Sequence, residues 1–489
     1  MRLHRLTVDK RGAATPAQSQ LGWRIAEVAC ASQPLDPEVE VLVGARVLDS
    51  IGAMLAARQR PAVANVRIQA LAHPRKDGAA VVGAGPRRTA CEWATLANGV
   101  ALRELDLGDM YVGADYARPS DAIPALLAVA QQCRRSGKDL VRAISISYEV
   151  QVALTRSIML HRHGISPVLH LGPAIAAGLG ALLQAPVEVV VHAVHAAAQL
   201  SCMCRGAPLD GVTRRSSLAP ASVAKRAIEC MDLALRGESA PSAVYEAPQG
   251  LVATFLGGPD AEYEIALPEP GEPLRGILDT FPKAHQAQYQ CQALIDLALR
   301  LHRRITSVHD IQRIEILTSR HLHRAIGSSW RDDPIGEAAP RPTRHNDGLR
   351  LLAHALRHGN ITALANDPPD ALEDRIRTQA SAKWSERSHH PDPKFQCFGA
   401  QMTVVLTSGV AVTEQMDWPD AHVLGARPWR ATDHICRFRD LAASALSAET
   451  RDKLVDQLRR LPTWTAAELC VFDFATAEPD PAPAQGAIF

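Results

Sequence analysis

The feature that most constrains the fold is the recurrence of apolar residues at helical spacing from about residue 20 to about residue 260. In the segment 36–57, DPEVEVLVGARVLDSIGAMLAA, the apolar residues predict one broad stripe of an amphipathic helix, with Asp36 as its N-cap. That stripe comprises Val41, Val43, Val47, Leu48, Ile51 and Met54. With 47% apolar residues, the chain has enough apolar surface for large buried cores.

Further helices follow the same pattern. SDAIPALLAVAQQCRRSG is predicted to begin a helix at Ser120 and to end it at Gly137. Segments 141–160 and 219–235 are helical by the same criterion. The longest apolar stretch, 169–194, is interrupted by Pro, Gln and Glu, so it predicts two buried helices rather than a membrane span.

The composition changes after these helices. ALPEPGEPLRG, residues 266–276, is typical of a linker because of its three prolines and two glycines. IQRIEILTSR, residues 311–320, alternates apolar and charged residues and predicts a strand. AQMTVVLTSGVAVTEQMDW, residues 400–418, predicts two strands that turn at Ser408–Gly409.

These patterns predict a mostly α protein with a smaller α+β domain. We expect an N-terminal tail at 1–20 and a helical domain that begins with 21–265 and is completed by C-terminal helices. The predicted boundaries of the remaining segments are 266–418 for the α+β domain and 419–489 for the returning helices.

Charge and cysteine usage exclude several functional classes. A net charge of +1 argues against nucleic-acid binding, which usually requires a basic surface. Ten scattered cysteines without a zinc-finger spacing are typical of reduced thiols, so we expect a cytoplasmic protein. The paired histidines at 161/163, 321/323 and 389/390 lack suitable acidic or cysteine partners, so no metal site is predicted.

Four segments at nearly constant spacing resemble the MmgE/PrpD (2-methylcitrate dehydratase) family. They are ANGVALRELDLGDMYVGADYARPSDAIPALLAVA (97–130), HGISPVLHLGPAIAAGLGALL (163–183), RGAPLDGVTRRSSLAPASVAKRA (205–227) and FPKAHQAQYQCQALIDLAL (281–299). The resemblance implies a two-domain fold with a helical domain and a lid. It also implies a homodimer that acts on a small polycarboxylate without an iron–sulfur cluster or other cofactor.

The resemblance also assigns roles to individual positions. Asp106 matches the family's first active-site aspartate, Asp109 its second acidic position and Lys283 its lid lysine. Tyr111 and His285 are further candidates for proton transfer. Alternatively, Asp106 and Asp109 only cap a turn or pair with Arg103, Tyr111 is a structural aromatic residue, and Lys283 is a plain exposed lysine.

Several family positions are substituted in this chain. The histidine expected before Pro-Ser-Asp is Arg118, the basic-loop lysine falls on Arg214 or Arg215, and the lid histidine is Gln290. The remaining departures are Gly108 for Asn, Met110 for Thr, Ser166 or Pro167 for His, Asn346 for His and Arg350 for Tyr.

These substitutions favour binding over proton transfer. Arginine stays protonated and has no acceptor atom, so Arg118 cannot act as a base. Guanidinium groups bind carboxylates in a bidentate way, and we therefore predict a polyanion pocket in which a lysine of lowered pKa is the base and an aspartate the acid. Its predicted substrate-binding residues are Arg118, Arg214, Arg215, Arg350 and Gln290. Arg118 could instead be a surface ion partner of Asp115 or Asp121.

Three functions remain open. The first is a lyase that eliminates water or CO2 from a specialised citrate-like polycarboxylate. The second is a catalytically inactive family member that binds a small polyanion or acts as a scaffold. The third is an isomerase or epimerase that uses the same α-proton abstraction without elimination.

Overall fold

The computed structural model describes residues 1–10, 15–204, 215–326, 348–361, 371–388, 390, 395–473 and 475–476, with backbone alone at 215–216 and 324–325. These residues form two compact units. The first consists of the described residues of Met1–Gly206, Arg214–Thr280 and Arg430–Phe489, and the second of those of Phe281–Trp429. Each unit has its own apolar core. The fold is mostly α with a smaller α+β unit, as the sequence predicts.

The first unit is built mainly of helices. Up to residue 255 they are α1 (Leu21–Cys30), α2 (Pro37–Ala57), α3 (Pro61–Leu71), α4 (Cys91–Glu104), α5 (Ile123–Gln132), α6 (Gly137–Ser157), α7 (Val168–Leu183), α8 (Val187–Leu200), α9 (Arg215–Leu235) and α10 (Leu251–Phe255). Short strands lie between them or flank them: β1 (Arg2–Thr7), β2 (Pro74–Ala80), β3 (Arg88–Thr89), β4 (Tyr111–Val112), β5 (Tyr116–Ala117) and β6 (Glu262–Leu267).

Helix α2 begins where its sequence predicts. The Asp36 side chain accepts a hydrogen bond from the Glu38 N–H, and Pro37 occupies the first helical position, where its missing N–H costs nothing. The predicted stripe is buried from Val43 to Met54, whereas Val41 is 60% exposed. Val41 therefore lies outside the stripe, on the opposite side of the helix.

The prediction for residues 120–137 was wrong at both ends. Ser120 lies within a 3-10 helix, Pro119–Ala122, and α5 begins only at Ile123. Gly137 does not end this helix but begins α6, where Ser136 and Asp139 form a reciprocal capping box. The glycine is needed at that point because a Cβ atom there would collide with the Leu461 carbonyl oxygen.

Small residues let the helices of the first unit approach closely. α4 packs on α9 at Gly99, where an added Cβ would lie 2.9 Å from the Cβ of Ala221. α7 and α8 form the two buried helices predicted for the long apolar stretch, and they meet at Gly180 and Val190. Among the described residues, no helix combines the length and apolar character that a membrane crossing requires.

Strands β1 and β6 form an antiparallel pair that the sequence analysis did not identify. Its register runs from Arg2 opposite Leu267 to Thr7 opposite Glu262. The two strands are about 250 residues apart in the chain, so no local pattern indicates their pairing. The pair attaches the amino-terminal residues to the first unit.

The second unit contains the α+β structure. Its helices are α11 (Gln292–His302), α12 (Arg320–Ile326), α13 (Gly348–His358) and α14 (Ala382–Arg387). Its strands are β7 (Ile311–Thr318), β8 (Ile376–Ala380), β9 (Ala400–Leu406) and β10 (Ala411–Met416), in the sheet order β10-β9-β7-β8. β7 and β8 are parallel, while the β7–β9 and β9–β10 pairs are antiparallel. α11 packs against α13 and against β9 and β10.

Both strand predictions are confirmed. In β7 the side chains of Ile314 and Ile316 are buried and those of Arg313 and Glu315 are exposed. β9 and β10 form the predicted hairpin, whose turn contains Gly409 with a φ of 83°. This left-handed conformation suits glycine, which has no Cβ to oppose it.

The chain after residue 429 completes the first unit. It forms α15 (Ala431–Leu441), α16 (Ala448–Arg459) and α17 (Ala466–Val471). α15 and α16 pack on α2, and α17 packs on α5. These contacts place side chains of α15 beside the buried part of α2.

Candidate active site

The segment that joins α4 to α5 carries four of the predicted site residues. It contains the β4–β5 pair and the 3-10 helix that follows it. Asp106 follows the end of α4 and has a φ of 53°, and its N–H donates to the Arg103 carbonyl over 3.1 Å. Aspartate is one of the few residues besides glycine that enter this left-handed region readily. The chain therefore turns away from α4 at the first predicted catalytic aspartate.

Arg118 and Asp106 form an ion pair. Nη2 of Arg118 lies 2.9 Å from Oδ1 of Asp106, and their side chains are 17% and 13% exposed. Nε of Arg118 also lies 3.2 Å from Sδ of Met110. The structure thus brings two predicted site residues together, and it places a permanent positive charge beside the aspartate.

The two aspartates considered as partners of Arg118 contact other residues. Asp115 accepts hydrogen bonds from Nδ1 and the backbone N–H of His161, at 2.6 and 2.9 Å. Burial alone would raise the pKa of Asp115, but these contacts with His161 hold it below its ordinary value. Asp121 lies 3.8 Å from Arg103, and burial raises the pKa of Asp121 despite the nearby charges of Arg103 and Arg118.

Asp109 is buried and contacts Ser120 and Arg46. Its Oδ1 accepts a hydrogen bond from the Ser120 N–H at 3.0 Å, and its Oδ2 lies 3.3 Å from Nε of Arg46. The Asp109 side chain is fully buried. Burial, followed by the negative charge of Asp109, raises the pKa of Tyr148 well above its ordinary value. Asp109 therefore fixes the loop at Ser120 and forms an ion pair with Arg46.

Arg46 connects Asp109 to a second buried carboxylate. Its Nη1 lies 3.3 Å from Nε2 of His434, and its Nη2 donates to Oγ1 of Thr280 at 3.2 Å. Nδ1 of His434 lies 3.2 Å from Oδ2 of Asp49, while Nε of Arg437 donates to Oδ1 of Asp49 at 2.7 Å. Because a guanidinium only donates, His434 accepts at Nε2 and carries its proton on Nδ1.

Burial and these contacts shift the pKa values of Asp49 and His434. Burial alone would raise the pKa of Asp49, but Arg437 and His434 hold it well below its ordinary value. Burial and the charge of Arg46 lower the pKa of His434, although Asp49 opposes that shift. The imidazole is therefore neutral in the folded protein near neutral pH.

A small cavity lies beside these charges. It is lined by Arg46, Asp49, Ser50, Ala53, Leu102, Leu107, Gly108, Asp109 and Ser120. The Ser120 Oγ atom is buried and has no hydrogen-bond partner among the described residues. The lining combines polar side chains with the apolar side chains of Ala53, Leu102 and Leu107.

Sequence reasoning missed Arg46, Asp49, Tyr148 and His434. A signal was present in α2, where Arg46 and Asp49 lie between buried apolar residues of the stripe. Charged residues are rarely fully buried unless they are paired, so their positions indicated a buried ion pair. The sequence contained no indication that the partner would come from α15, almost 400 residues further along.

Tyr111 belongs to another group of charges. Its hydroxyl accepts a hydrogen bond from Nε of Arg156 at 3.0 Å, and Arg156 also binds Oδ2 of Asp279 at 2.6 Å. Tyr111 is buried, which raises its pKa, while Arg156 opposes that shift. A role of Tyr111 in proton transfer stays a prediction.

In the second unit, His285 is held by two side chains. Its Nε2 lies 2.7 Å from Oδ1 of Asp296, and its backbone N–H donates to Oε1 of Gln292 at 3.0 Å. Oδ2 of Asp296 accepts a hydrogen bond from the Asp420 N–H at 2.8 Å. The imidazole is therefore oriented by a buried carboxylate that also fixes the backbone near residue 420.

Gln290 lines a second cavity, which lies entirely within the second unit. The cavity has room for about one water molecule, ≈ 20 Å³, and its lining residues are Tyr289, Gln290, Thr318, Ser319, His321, Leu322, Ser388, Phe398 and Gly399. Nε2 of Gln290 lies 2.9 Å from Nε2 of His321. Sequence reasoning considered His321 only as a metal ligand and missed this contact.

The other predicted basic residues are Lys283, Arg350, Arg214 and Arg215. Lys283 is fully buried near the start of the second unit. Arg350 lies on α13, and its buried Nε has no hydrogen-bond partner among the described residues. Arg214 lies outside the described residues, and Arg215 begins α9 with no described side chain. The predicted convergence of these cations on one cleft stays a prediction.

Clusters suited to metal ions are a further question. Over the part of the chain that the structure describes, no group of three or more His, Cys, Asp or Glu residues could hold one.

Two domain profiles of one protein family match most of the chain. The profile of the MmgE/PrpD N-terminal domain matches residues 19–264, and that of the MmgE/PrpD C-terminal domain matches residues 285–461. The chain is 26% identical over 349 residues to a mitochondrial 2-methylcitrate dehydratase of Yarrowia lipolytica, an alignment covering 66% of this chain and 65% of that protein. It is 24% identical over 350 residues to the 2-methylcitrate dehydratase of Escherichia coli strain K12, covering 66% and 70%.

Proposed function

Because the chain belongs to the MmgE/PrpD family, we propose that it is a lyase that eliminates water or CO2 from a small citrate-like polycarboxylate. The names of its relatives support the reaction class. The substituted positions at Arg118, Gln290 and Arg350 support a specialised substrate. In this proposal these basic and amide groups bind the substrate.

The observation that carries this proposal is the ion pair between Arg118 and Asp106. The resemblance expects a histidine at position 118, which could exchange a proton, whereas arginine stays charged. A guanidinium presents five donors in a planar fork that matches a carboxylate. A cation at this position therefore suits a reaction whose substrate carries several carboxylates.

The ion pair also indicates how a substrate could prepare the site. A substrate carboxylate that binds Arg118 replaces Asp106, whose carboxylate then lies beside the substrate with a lone pair available. Asp106 can then remove the proton next to the bound carboxylate. The C–H electron pair forms the double bond while the C–O pair leaves with the hydroxyl, which takes up a proton from an acid. Lys283 and His285 stay candidates for proton transfer, and this scheme reverses the sequence prediction in which the lysine is the base and an aspartate the acid.

Asp109 is a positioning residue in this scheme. Its carboxylate holds the Ser120 N–H at one oxygen and balances Arg46 at the other. Ser120 lies two residues after Arg118, so this contact fixes the backbone that presents the guanidinium. Replacement of Asp109 is therefore expected to move Arg118 rather than to remove a reacting group.

One experiment separates the three candidate functions. The protein is incubated in deuterated water with citrate, 2-methylcitrate, isocitrate and malate, and the products are followed by NMR. Appearance of an alkene supports the lyase. Deuterium incorporation without an alkene supports the isomerase, and neither change in any acid supports the inactive binder.

Binding is tested separately by thermal unfolding. We expect citrate to raise the melting temperature, because a ligand at about 100 times its Kd stabilises the native state by about 2.7 kcal/mol. Arg118→Ala should abolish this shift. Arg134→Gln is the matched control, since Arg134 forms an exposed ion pair with Asp77 and should leave the shift unchanged. No shift with any of the four acids would refute the anion pocket.

Arg118→His restores the residue that the resemblance expects. If the rest of the site is intact, this variant should dehydrate 2-methylcitrate faster than the wild-type chain, as measured by alkene absorbance. Asp106→Asn in the same background should remove the gain, because the amide cannot take up the proton. A gain that survives Asp106→Asn would refute the role of Asp106 as base.

The homodimer and the cytoplasmic location also belong to this proposal. Both rest on the resemblance and on the cysteine usage. Light scattering of the purified chain tests the first, with twice the 52.7 kDa chain mass expected.

A further inference from the structure

The small cavity of the first unit lies between helix α2 and the segment that joins α4 to α5. Arg46 and Ser50 are among the residues that line it from α2, and Gly108, Asp109 and Ser120 line it from the joining segment. The cavity has room for about one water molecule, ≈ 10 Å³. Every residue that lines it belongs to the first unit, so its geometry does not depend on the second unit.

Three polar atoms of the lining residues are buried without a hydrogen-bond partner among the described residues. They are Oγ of Ser120, Oδ2 of Asp109 and Nε of Arg46. Nε of Arg46 and Oδ2 of Asp109 are 3.3 Å apart, so their charges attract each other, but they do not form a hydrogen bond. A buried polar atom without a partner is unfavourable, because folding has removed its hydrogen bonds to water. These atoms therefore indicate a ligand that can form hydrogen bonds.

The polar groups around the cavity include both donors and acceptors. The Arg46 Nε–H only donates, the ionised carboxylate of Asp109 only accepts, and the Ser120 hydroxyl can do either. The Ser50 hydroxyl donates to the Arg46 carbonyl oxygen at 2.7 Å, so its own oxygen can still accept. Water both donates and accepts, and buried waters in proteins typically form about three hydrogen bonds. The cavity offers enough partners for that number.

Size and charge argue against other ligands. The cavity holds a single molecule of the size of water. Its charges are already matched, because Arg46 pairs with Asp109 and Asp49 binds Arg437. A bound ion would therefore leave an unbalanced buried charge, which is strongly unfavourable. These two points favour a small neutral molecule.

We propose that this cavity binds one water molecule, which donates to Oδ2 of Asp109 and accepts from the Ser120 hydroxyl or the Arg46 Nε–H. The water joins α2, which carries Arg46, to the segment that carries Asp109 and Ser120. Oδ1 of Asp109 already holds the Ser120 N–H, so the water adds a second connection between these two residues. Ser120 lies two residues after Arg118, and the water therefore helps to fix the backbone that presents this arginine.

Gly108 leaves space for this water. A Cβ atom added at position 108 would lie 2.9 Å from Oγ of Ser120, so a side chain there would point toward the cavity. The resemblance expects asparagine at this position, and an asparagine amide carries both donors and an acceptor. The water therefore supplies hydrogen bonds that an asparagine side chain could supply from position 108.

A crystal structure of the wild-type protein, at a resolution that shows ordered waters, tests the site directly. We expect one density peak in the cavity, at about 2.7 to 3.2 Å from Oδ2 of Asp109 and from either Oγ of Ser120 or Nε of Arg46. An empty cavity would overturn the proposal. A cavity closed by a direct hydrogen bond from Ser120 to another side chain would overturn it as well.

Two substitutions of Gly108 test the hydrogen bonds of the water in solution. Gly108→Asn and Gly108→Ala both direct a side chain at the cavity and should displace the water, but only the amide can replace its hydrogen bonds. Thermal unfolding should therefore give a lower melting temperature for Gly108→Ala than for Gly108→Asn. The same two substitutions at the exposed Glu238 are the control and should show no such difference. A Gly108→Ala protein at least as stable as Gly108→Asn would overturn the hydrogen-bonding role of the water. Neither measurement uses catalysis, so the outcome is independent of the proposed lyase function.

Discussion

Glu246 offers a stability prediction that can be worked out from the structure. It lies between α9 and α10 and is 4% exposed. Oε1 accepts a hydrogen bond from the Leu21 N–H, the first residue of α1, at 2.6 Å, while Oε2 is buried without a hydrogen-bond partner among the described residues. Burial raises the pKa of Glu246 from 4.5 to about 7, although the backbone hydrogen bond from Leu21 opposes the shift.

The sign follows from proton binding. Between pH 4.5 and about 7 the folded chain keeps a proton on Glu246 that the unfolded chain has released. Stability is therefore lost as the pH rises through this range. At about 1.4 kcal/mol per pH unit the loss is about 3 kcal/mol. In Glu246→Gln the amide does not titrate and its oxygen can still accept the Leu21 N–H, so this loss disappears.

The assay is urea unfolding of the wild type and of Glu246→Gln at pH 5 and pH 8. The quantity compared is the free energy of unfolding of the first unit. The stability of the variant relative to the wild type should increase by about 2 to 3 kcal/mol from pH 5 to pH 8. Glu238→Gln, an exposed residue, is the control and should show no such change. An equal difference between Glu246→Gln and wild type at both pH values would refute the reasoning.

Two further substitutions test the packing and charges of the first unit. Asp49→Asn leaves Arg437 as a buried charge without its carboxylate and should lower the free energy of unfolding by about 3 to 5 kcal/mol at pH 7. Asp452→Asn, in an exposed ion pair, should cost less than about 1 kcal/mol in the same urea titration. Gly180→Ala places a Cβ 2.5 Å from Cγ2 of Val190, so a lower melting temperature and a cost of about 1 to 3 kcal/mol are expected. An unchanged melting temperature would show that α7 and α8 can move apart.

Elements that depend on neighbouring residues could be predicted from the sequence. The Asp36 cap of α2 and the β9–β10 hairpin at Gly409 were both recognised, because capping and turn chemistry act over a few residues. The start of α5 and the role of Gly137 were not, because they depend on the loop contact of Asp109 and on the close approach of Leu461.

Some residues of the candidate site could likewise be recognised from the sequence, and others could not. The family resemblance selected Asp106 and Arg118, and the structure pairs them at 2.9 Å. The family resemblance did not indicate Arg46, which forms an ion pair with Asp109 from α2, or His321, which contacts Gln290. Their relevance arises only from partners 63 and 31 residues away in the chain.

The sequence by itself determined the helices, the hairpin and the family, because periodicity, capping and motif spacing are local properties of the chain. Tertiary structure alone decided which buried charges and which strands became partners: Asp49 with Arg437, Arg46 with Asp109, and β1 with β6. A buried charge has to pair with an opposite charge, and an open strand edge with another strand, wherever the packed fold places one. The free energy of such a contact depends on the distance between the two groups in space. Separation along the chain does not enter it once the core has formed.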